Sequence, residues 1–99
     1  MEQMPMFPGG ESAMVTWITS NLKYPGKAVK DKLEGNIPVN FLVTSKGKVS
    51  DVKVLNSVNP LLDKEAERVI RSMPDWKPGL QDGKPVDVQM QVTVYFKLK

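Results

Sequence analysis

The chain contains no cysteine and no histidine. Without thiols it can form neither a disulfide nor a thiolate metal site, and a cysteine-free composition fits an oxidising compartment as well as a reducing one. Without imidazole it lacks the commonest general base and metal ligand, and with cysteine goes the best thiol nucleophile. Carboxylates remain, but Asp51, Asp63, Glu65, Asp75, Asp82 and Asp87 are scattered over turns and wet faces, with no apolar pocket in the pattern to raise a pKa. No glycine-rich phosphate loop follows a strand. These absences argue against an enzyme, and no metal or cofactor is expected.

Long apolar runs are missing too. No segment approaches the ~18 uninterrupted apolar residues of a membrane helix. Met1-Glu2-Gln3-Met4-Pro5 has neither the basic region nor the apolar run of a signal peptide, so an export signal or anchor is expected to lie outside this sequence. Lys and Arg total 14 against 11 Asp and Glu, for a net charge of +3. The charges are interleaved, with no block of about five or six like charges of the kind found in nucleic-acid arms, so no nucleic-acid partner is expected. Repeats and low-complexity tracts are also absent.

What is present is one domain's worth of chain. Its 99 residues, 40% apolar and 25% charged, suit a single core that buries roughly 60–70% of the unfolded surface. Residues 1–10 read as an extended lead-in, because Met4-Pro5-Met6-Phe7-Pro8-Gly9-Gly10 is rich in proline and glycine. Residues 11–99 read as the domain. Met14, Trp17, Ile18 and Leu22 recur at helical spacing, which predicts a helix from Glu11 to Asn21, stopped at Tyr24-Pro25-Gly26. A short helix over Lys27 to Leu33 is expected to close at Gly35. In the run from Pro60 to Met73, Leu62, Ala66, Val69, Ile70 and Met73 form one apolar stripe, with proline pre-set for the first turn. Lys64, Glu67, Arg68 and Arg71 lie opposite it on a solvated face.

Strand patterns occupy the rest. Ile37, Val39, Phe41 and Val43 alternate with other residues, as do Val52 and Val54, around a turn at Ser45-Lys46-Gly47-Lys48. A two-residue loop at Lys46-Gly47 places Phe41 opposite Val52 and Val39 opposite Val54, with both apolar sets on one face. After a turn at Asp82-Gly83, alternation runs from Val86 to Leu98. At ~3.3 Å per residue that strand outreaches the hairpin, leaving backbone unpaired. Trp76, flanked by Pro78 and Gly79, reads as a plug over the helix–sheet seam, as do Phe7 and Trp17.

The order α-α-β-β-α-β implies an α+β fold, with helices on one face of a three-stranded antiparallel sheet ordered second, first, third strand. Pro38 fits a central strand poorly, so a ragged start or a bulge is expected there. The final strand becomes an edge, and between Val88 and Phe96 it has neither charge nor proline to protect it. Val88, Gln89, Met90, Gln91, Val92, Thr93, Val94, Tyr95 and Phe96 are therefore the candidate site for an incoming strand, with self-pairing across a two-fold axis or plain solvation as the alternatives.

Leu62-Asp63-Lys64-Glu65-Ala66, Met73-Pro74-Asp75-Trp76-Lys77-Pro78-Gly79, Gly83-Lys84-Pro85-Val86 and the closing Val94-Tyr95-Phe96 resemble the TonB C-terminal domain family. Tyr24-Pro25, Gly35, Val39-Asn40-Phe41-Leu42-Val43, Gly47 and Val52-Lys53-Val54 through Ser57 fit the same pattern. The lead-in resembles the form common in Bacteroidota relatives. The resemblance, which covers nearly the whole chain, implies a non-enzymatic periplasmic domain joined by a proline-rich linker to one inner-membrane helix that associates with a proton-driven motor complex. It implies capture of the TonB box of an outer-membrane transporter beside the final strand, here Val88 to Phe96, and work passed on for import of siderophores, cobalamin or glycans. An interaction domain of a membrane-anchored sensor or peptidase is the alternative. The resemblance also exposes two departures: many relatives have proline where this chain has Thr93, and Pro38 is not expected in the first strand.

Overall fold

A computed structural model describes residues 1–98. Helix α1 spans Glu11–Asn21 and α2 spans Gly26–Lys30. Helix α2 ends short of the expected Leu33, in a left-handed cap built on Lys32 (φ 55°) instead of Gly35. The Lys32 N–H donates to Val29 O (3.1 Å) and the Leu33 N–H to Ala28 O (2.8 Å), which together satisfy the last free carbonyls of the helix. Gly35 instead opens the first strand, where an added Cβ would sit 3.1 Å from Val58 Cγ1. Because Lys32 carries a side chain in a conformation that disfavours one, Lys32→Gly should stabilise the fold by about 1 kcal/mol, read as a rise in Tm of roughly 4–8 °C. An unchanged or lower Tm would contradict it.

Helix α3, Pro60–Arg71, starts where the sequence pattern puts it. Asn59 caps it, its Oδ1 accepting the Leu61 N–H at 2.9 Å, and proline occupies the first turn. Leu62, Ala66, Val69, Ile70 and, beyond the helix, Met73 are buried. Removing the cap with Asn59→Ala should cost about 1 kcal/mol, measurable as a lower urea midpoint.

Strands β1 (Gly35–Val43), β2 (Val49–Val54) and β5 (Val88–Phe96) form an antiparallel sheet ordered β2-β1-β5. Val39 does pair with Val54, as the apolar faces demand, but the turn differs from the expected two-residue loop. Thr44 O accepts the Gly47 N–H (2.8 Å) and the Thr44 N–H donates to Lys48 O (2.9 Å), so three residues loop out. A bulge at Asp51 (φ 50°) then inserts one extra residue into β2 and restores the apolar register. Phe41 thus faces the bulge and not Val52 alone.

The final strand is shorter than its alternation suggested. Val86 belongs to a separate hairpin of β3 (Gly79–Gln81) and β4 (Lys84–Val86), where it pairs with Gly79, and β5 starts at Val88. Its nine residues pair one for one with β1, so no overhang leaves backbone free. The lead-in is extended and pairs with the start of this hairpin. The Met6 and Lys77 backbones exchange bonds of 2.9 and 2.8 Å, and those of Gln3 and Leu80 bonds of 3.2 and 2.9 Å. Phe7 is buried with its ring 5.8 Å from Trp76 and 6.1 Å from Trp17, and Trp76 in turn meets Phe41 at 5.5 Å. This aromatic group seals the helix–sheet seam over Ile37, Val39, Phe41 and Val43.

Pro38 breaks nothing. Thr44 turns its N–H and C=O toward β2. Backbone groups alternate sides along a strand, so Pro38, an even number of residues upstream, also faces the β2 side. There the ladder has already ended at Val39–Val54.

Candidate functional site

The sheet has two outer edges, β2 and β5, and they are protected differently. On β2 the bulge at Asp51 distorts the edge, and the Val54 N–H donates to Glu67 Oε2 of α3 (3.2 Å). A bulge and a covering side chain are common protections against edge-to-edge pairing. Among the described residues, no strand pairs with the outer side of β5.

Which backbone groups are free follows from the same alternation. Val43, next to Thr44, faces β5, so its partner Val88 faces back toward β1, as do Met90, Val92, Val94 and Phe96. Gln89, Gln91, Thr93 and Tyr95 therefore direct their N–H and C=O groups outward. The side chains divide along the same lines. Val88, Val94 and Phe96 are buried and Met90 and Val92 half-buried, whereas Gln89, Gln91 and Tyr95 are exposed and Thr93 half-exposed. The structure thus places all nine predicted residues on one edge strand but splits them: five hold the sheet together and four present hydrogen-bonding groups.

The outward edge borders a groove of about 500 Å³ whose opposite wall is α1, with Glu11, Met14, Val15, Ile18, Thr19 and Leu22 facing Gln91, Thr93 and Tyr95. Helix and strand run in the same direction. Glu11 and Met14 share a hollow with Met90 to Val92, and the Tyr24 ring, beyond the end of α1, packs edge-on against Phe96 at 5.5 Å. The α1 wall was not read from the sequence, because Met14, Ile18 and Leu22 look like ordinary core spacing. One signal was available: Val15, off that stripe, is apolar and 55% exposed.

The end of α1 is held by a buried carboxylate. Glu65 accepts the Lys23 N–H (2.6 Å) and both Nε (2.6 Å) and Nη2 (2.8 Å) of Arg68, while Arg68 Nη2 also donates to Asn21 O (3.0 Å). Burial pushes the Glu65 carboxyl upward. The Arg68 and Lys23 hydrogen bonds and positive charges outweigh that, so the net shift is below the usual range. With a lowered folded-state pKa, its contribution is complete above the ordinary glutamate range near ~4.3 and is lost as pH falls through the folded value. Glu65→Gln should therefore cost about 2 kcal/mol at pH 7. In urea unfolding, the gap between parent and variant should close in acid; a gap that is constant with pH would refute this role.

Among the described residues, no group of acidic side chains gathers into a metal site, and no helix is long and apolar enough to cross a membrane. Fold and site together define an α+β module in which one edge strand of the sheet, β5, runs along a helix-walled groove. The chain belongs to the TonB C-terminal family: the family model described as Gram-negative bacterial TonB protein C-terminal matches residues 20–98. Protein TonB of Pseudomonas aeruginosa is 34% identical over 79 residues, covering 77% of this chain and 22% of that protein. The chain thus spans about a fifth of that relative's length. The solution NMR structure of the Pseudomonas aeruginosa TonB CTD superposes with a TM-score of 0.64 at 31% identity, covering 78% of each chain. A Helicobacter pylori TonB CTD (residues 179–285), at 24% identity, shares the fold with a TM-score of 0.66 over 93% of this chain and 87% of that one.

Proposed function

We propose that this chain is the periplasmic, non-catalytic C-terminal domain of a TonB-like energy transducer. It captures the TonB box of an outer-membrane transporter by strand addition along Val88 to Phe96 and passes on work derived from the proton-motive force for nutrient import. In the full-length protein, a segment outside this sequence anchors it in the inner membrane and engages the motor complex. The domain proper is residues 11–99, with residues 1–10 clamped against it.

One observation carries the reading: the outward N–H and C=O groups of Gln89, Gln91, Thr93 and Tyr95, on a strand that has neither charge, proline nor bulge between Val88 and Phe96. Main-chain bonds of this kind supply affinity in strand addition, and neighbouring side chains supply selectivity. The family supports the partner, and the second edge, bulged at Asp51 and with its Val54 N–H taken by Glu67, supports the choice of strand. The test is a titration with N-terminal peptides of the organism's outer-membrane transporters, followed by backbone amide shifts. The outward amides of Gln89, Gln91, Thr93 and Tyr95 are expected to move most. A final strand unperturbed at millimolar peptide would overturn the proposal, and self-association without peptide would point to a homodimer on the same edge.

A further inference from the structure

The groove does more than leave an edge accessible, because its helical wall is in register with a strand laid on β5. Met14, Ile18 and Leu22 recur every four residues along α1 and all line the groove. Four residues of helix rise about 6.0 Å, and two residues of strand rise about 6.6 Å. Since α1 and β5 run in the same direction, each α1 position meets every second residue of an added strand. The mismatch stays near 1 Å over the three positions. Ile18 is buried in the core and Met14 and Leu22 pack half-buried against it, so each presents one side to the groove, and Val15, exposed beside this row, adds apolar surface that the core does not use.

A second observation lies at the β5 N-terminal end. Past Met14 the groove continues into a hollow lined by Pro5, Met6, Phe7, Trp76, Met90 and Gln91. Trp76 is 6% exposed, and its buried indole Nε1–H has no hydrogen-bond partner among the described residues. A buried donor without an acceptor is costly and uncommon in native proteins; the nitrogen is sealed from solvent, so a ligand's acceptor reaches it once the ring or a neighbouring side chain shifts.

We infer that α1 is the selectivity element of this site. The groove takes an extended peptide with apolar side chains at three alternate positions, seated on Met14, Ile18 and Leu22, and a hydrogen-bond acceptor at the end that reaches Trp76. This rests on the strand-addition reading and adds to it. The edge alone accepts any sequence, because backbone bonds are sequence-blind; the α1 row accepts only an alternating one. A peptide of the same composition with its apolar residues contiguous can turn no more than two of three toward α1, because successive residues of a strand point to opposite faces.

Two synthetic heptapeptides test this: one alternating valine with threonine and ending in asparagine, the other an isomer with the valines contiguous. Both are titrated into the ¹⁵N-labelled chain. The alternating peptide is expected to bind about tenfold more tightly, equivalent to about 1.4 kcal/mol, to shift the outward amides of β5 and to move the Trp76 indole N–H. Met14→Gln combined with Val15→Gln should bring the two affinities together while the edge amides still shift. Equal affinities in the parent chain would overturn the inference and leave strand addition standing, and a stationary Trp76 indole would remove the acceptor subsite. If neither peptide moves the edge amides, strand addition itself falls, and this inference with it.

Discussion

Thr93→Pro should leave the fold standing and weaken peptide capture, whereas Val92→Pro, one residue earlier, should unfold the domain. Val92 directs its N–H into the β1 ladder opposite Val39. Proline there removes that bond, leaves the carbonyl of the buried Val39 without its donor, and forces the ring against β1. The loss is on the order of 3 kcal/mol or more, a large part of the ~5–15 kcal/mol stability of a typical domain. Thr93 sits opposite Pro38 and faces away from β1. Its N–H is committed to no partner strand, and the extended backbone of Val92 already suits the residue before a proline. Thr93→Pro therefore should shift the urea midpoint little but remove one outward donor, lowering affinity for a docked strand about fivefold to tenfold. Equal destabilisation by the two substitutions would show that the alternation of backbone groups along β5 is wrongly phased.

Gly47→Ala should be the most damaging single-methyl change in the chain. Gly47 adopts φ +78°, and a Cβ built on it falls 2.0 Å from the Trp76 carbonyl oxygen. The Trp76 N–H donates to Gly47 O at 2.7 Å, so the β1–β2 loop and the segment before β3 are held in direct contact. A methyl group would have to push Trp76 off Phe41 and Phe7, with loss of aromatic packing added to the left-handed backbone cost. The expected loss is about 3–5 kcal/mol, with a red shift of tryptophan emission. Gly83→Ala is the control. It shares the left-handed conformation (φ +75°) but has nothing within 4 Å of the added Cβ, so its cost should stay near ~1 kcal/mol. Similar losses at the two positions would mean that the contact with Trp76 contributes nothing.

Helices α1 and α3, the order of the three-stranded sheet and the pairing of Val39 with Val54 are all legible from spacing, because each depends on where apolar side chains must point. A slip of one residue would turn a whole face to water, and no competing arrangement buries every stripe. The same logic picks out β5 as an edge. The lead-in is legible only as extended; its pairing with Lys77 and Leu80 leaves no periodic mark in a segment so rich in proline and glycine. The β3–β4 hairpin, with three residues in each strand, is too short to show alternation, and its Val86 looked continuous with the final strand.

Residue pattern alone thus settles which faces are apolar, which elements can form and which strand ends at the margin of the sheet, since burial acts on each side chain through its position along the chain. Folding in three dimensions settles the loop length at Ser45-Lys46-Gly47, the compensating bulge at Asp51, the covering of β2 by Glu67 and the alignment of α1 beside β5. Those features depend on distances between residues remote in sequence, such as Gly47 against Trp76 and Lys23 against Glu65. No local period encodes such distances, because contacts of that kind exist only once the core has brought the elements together.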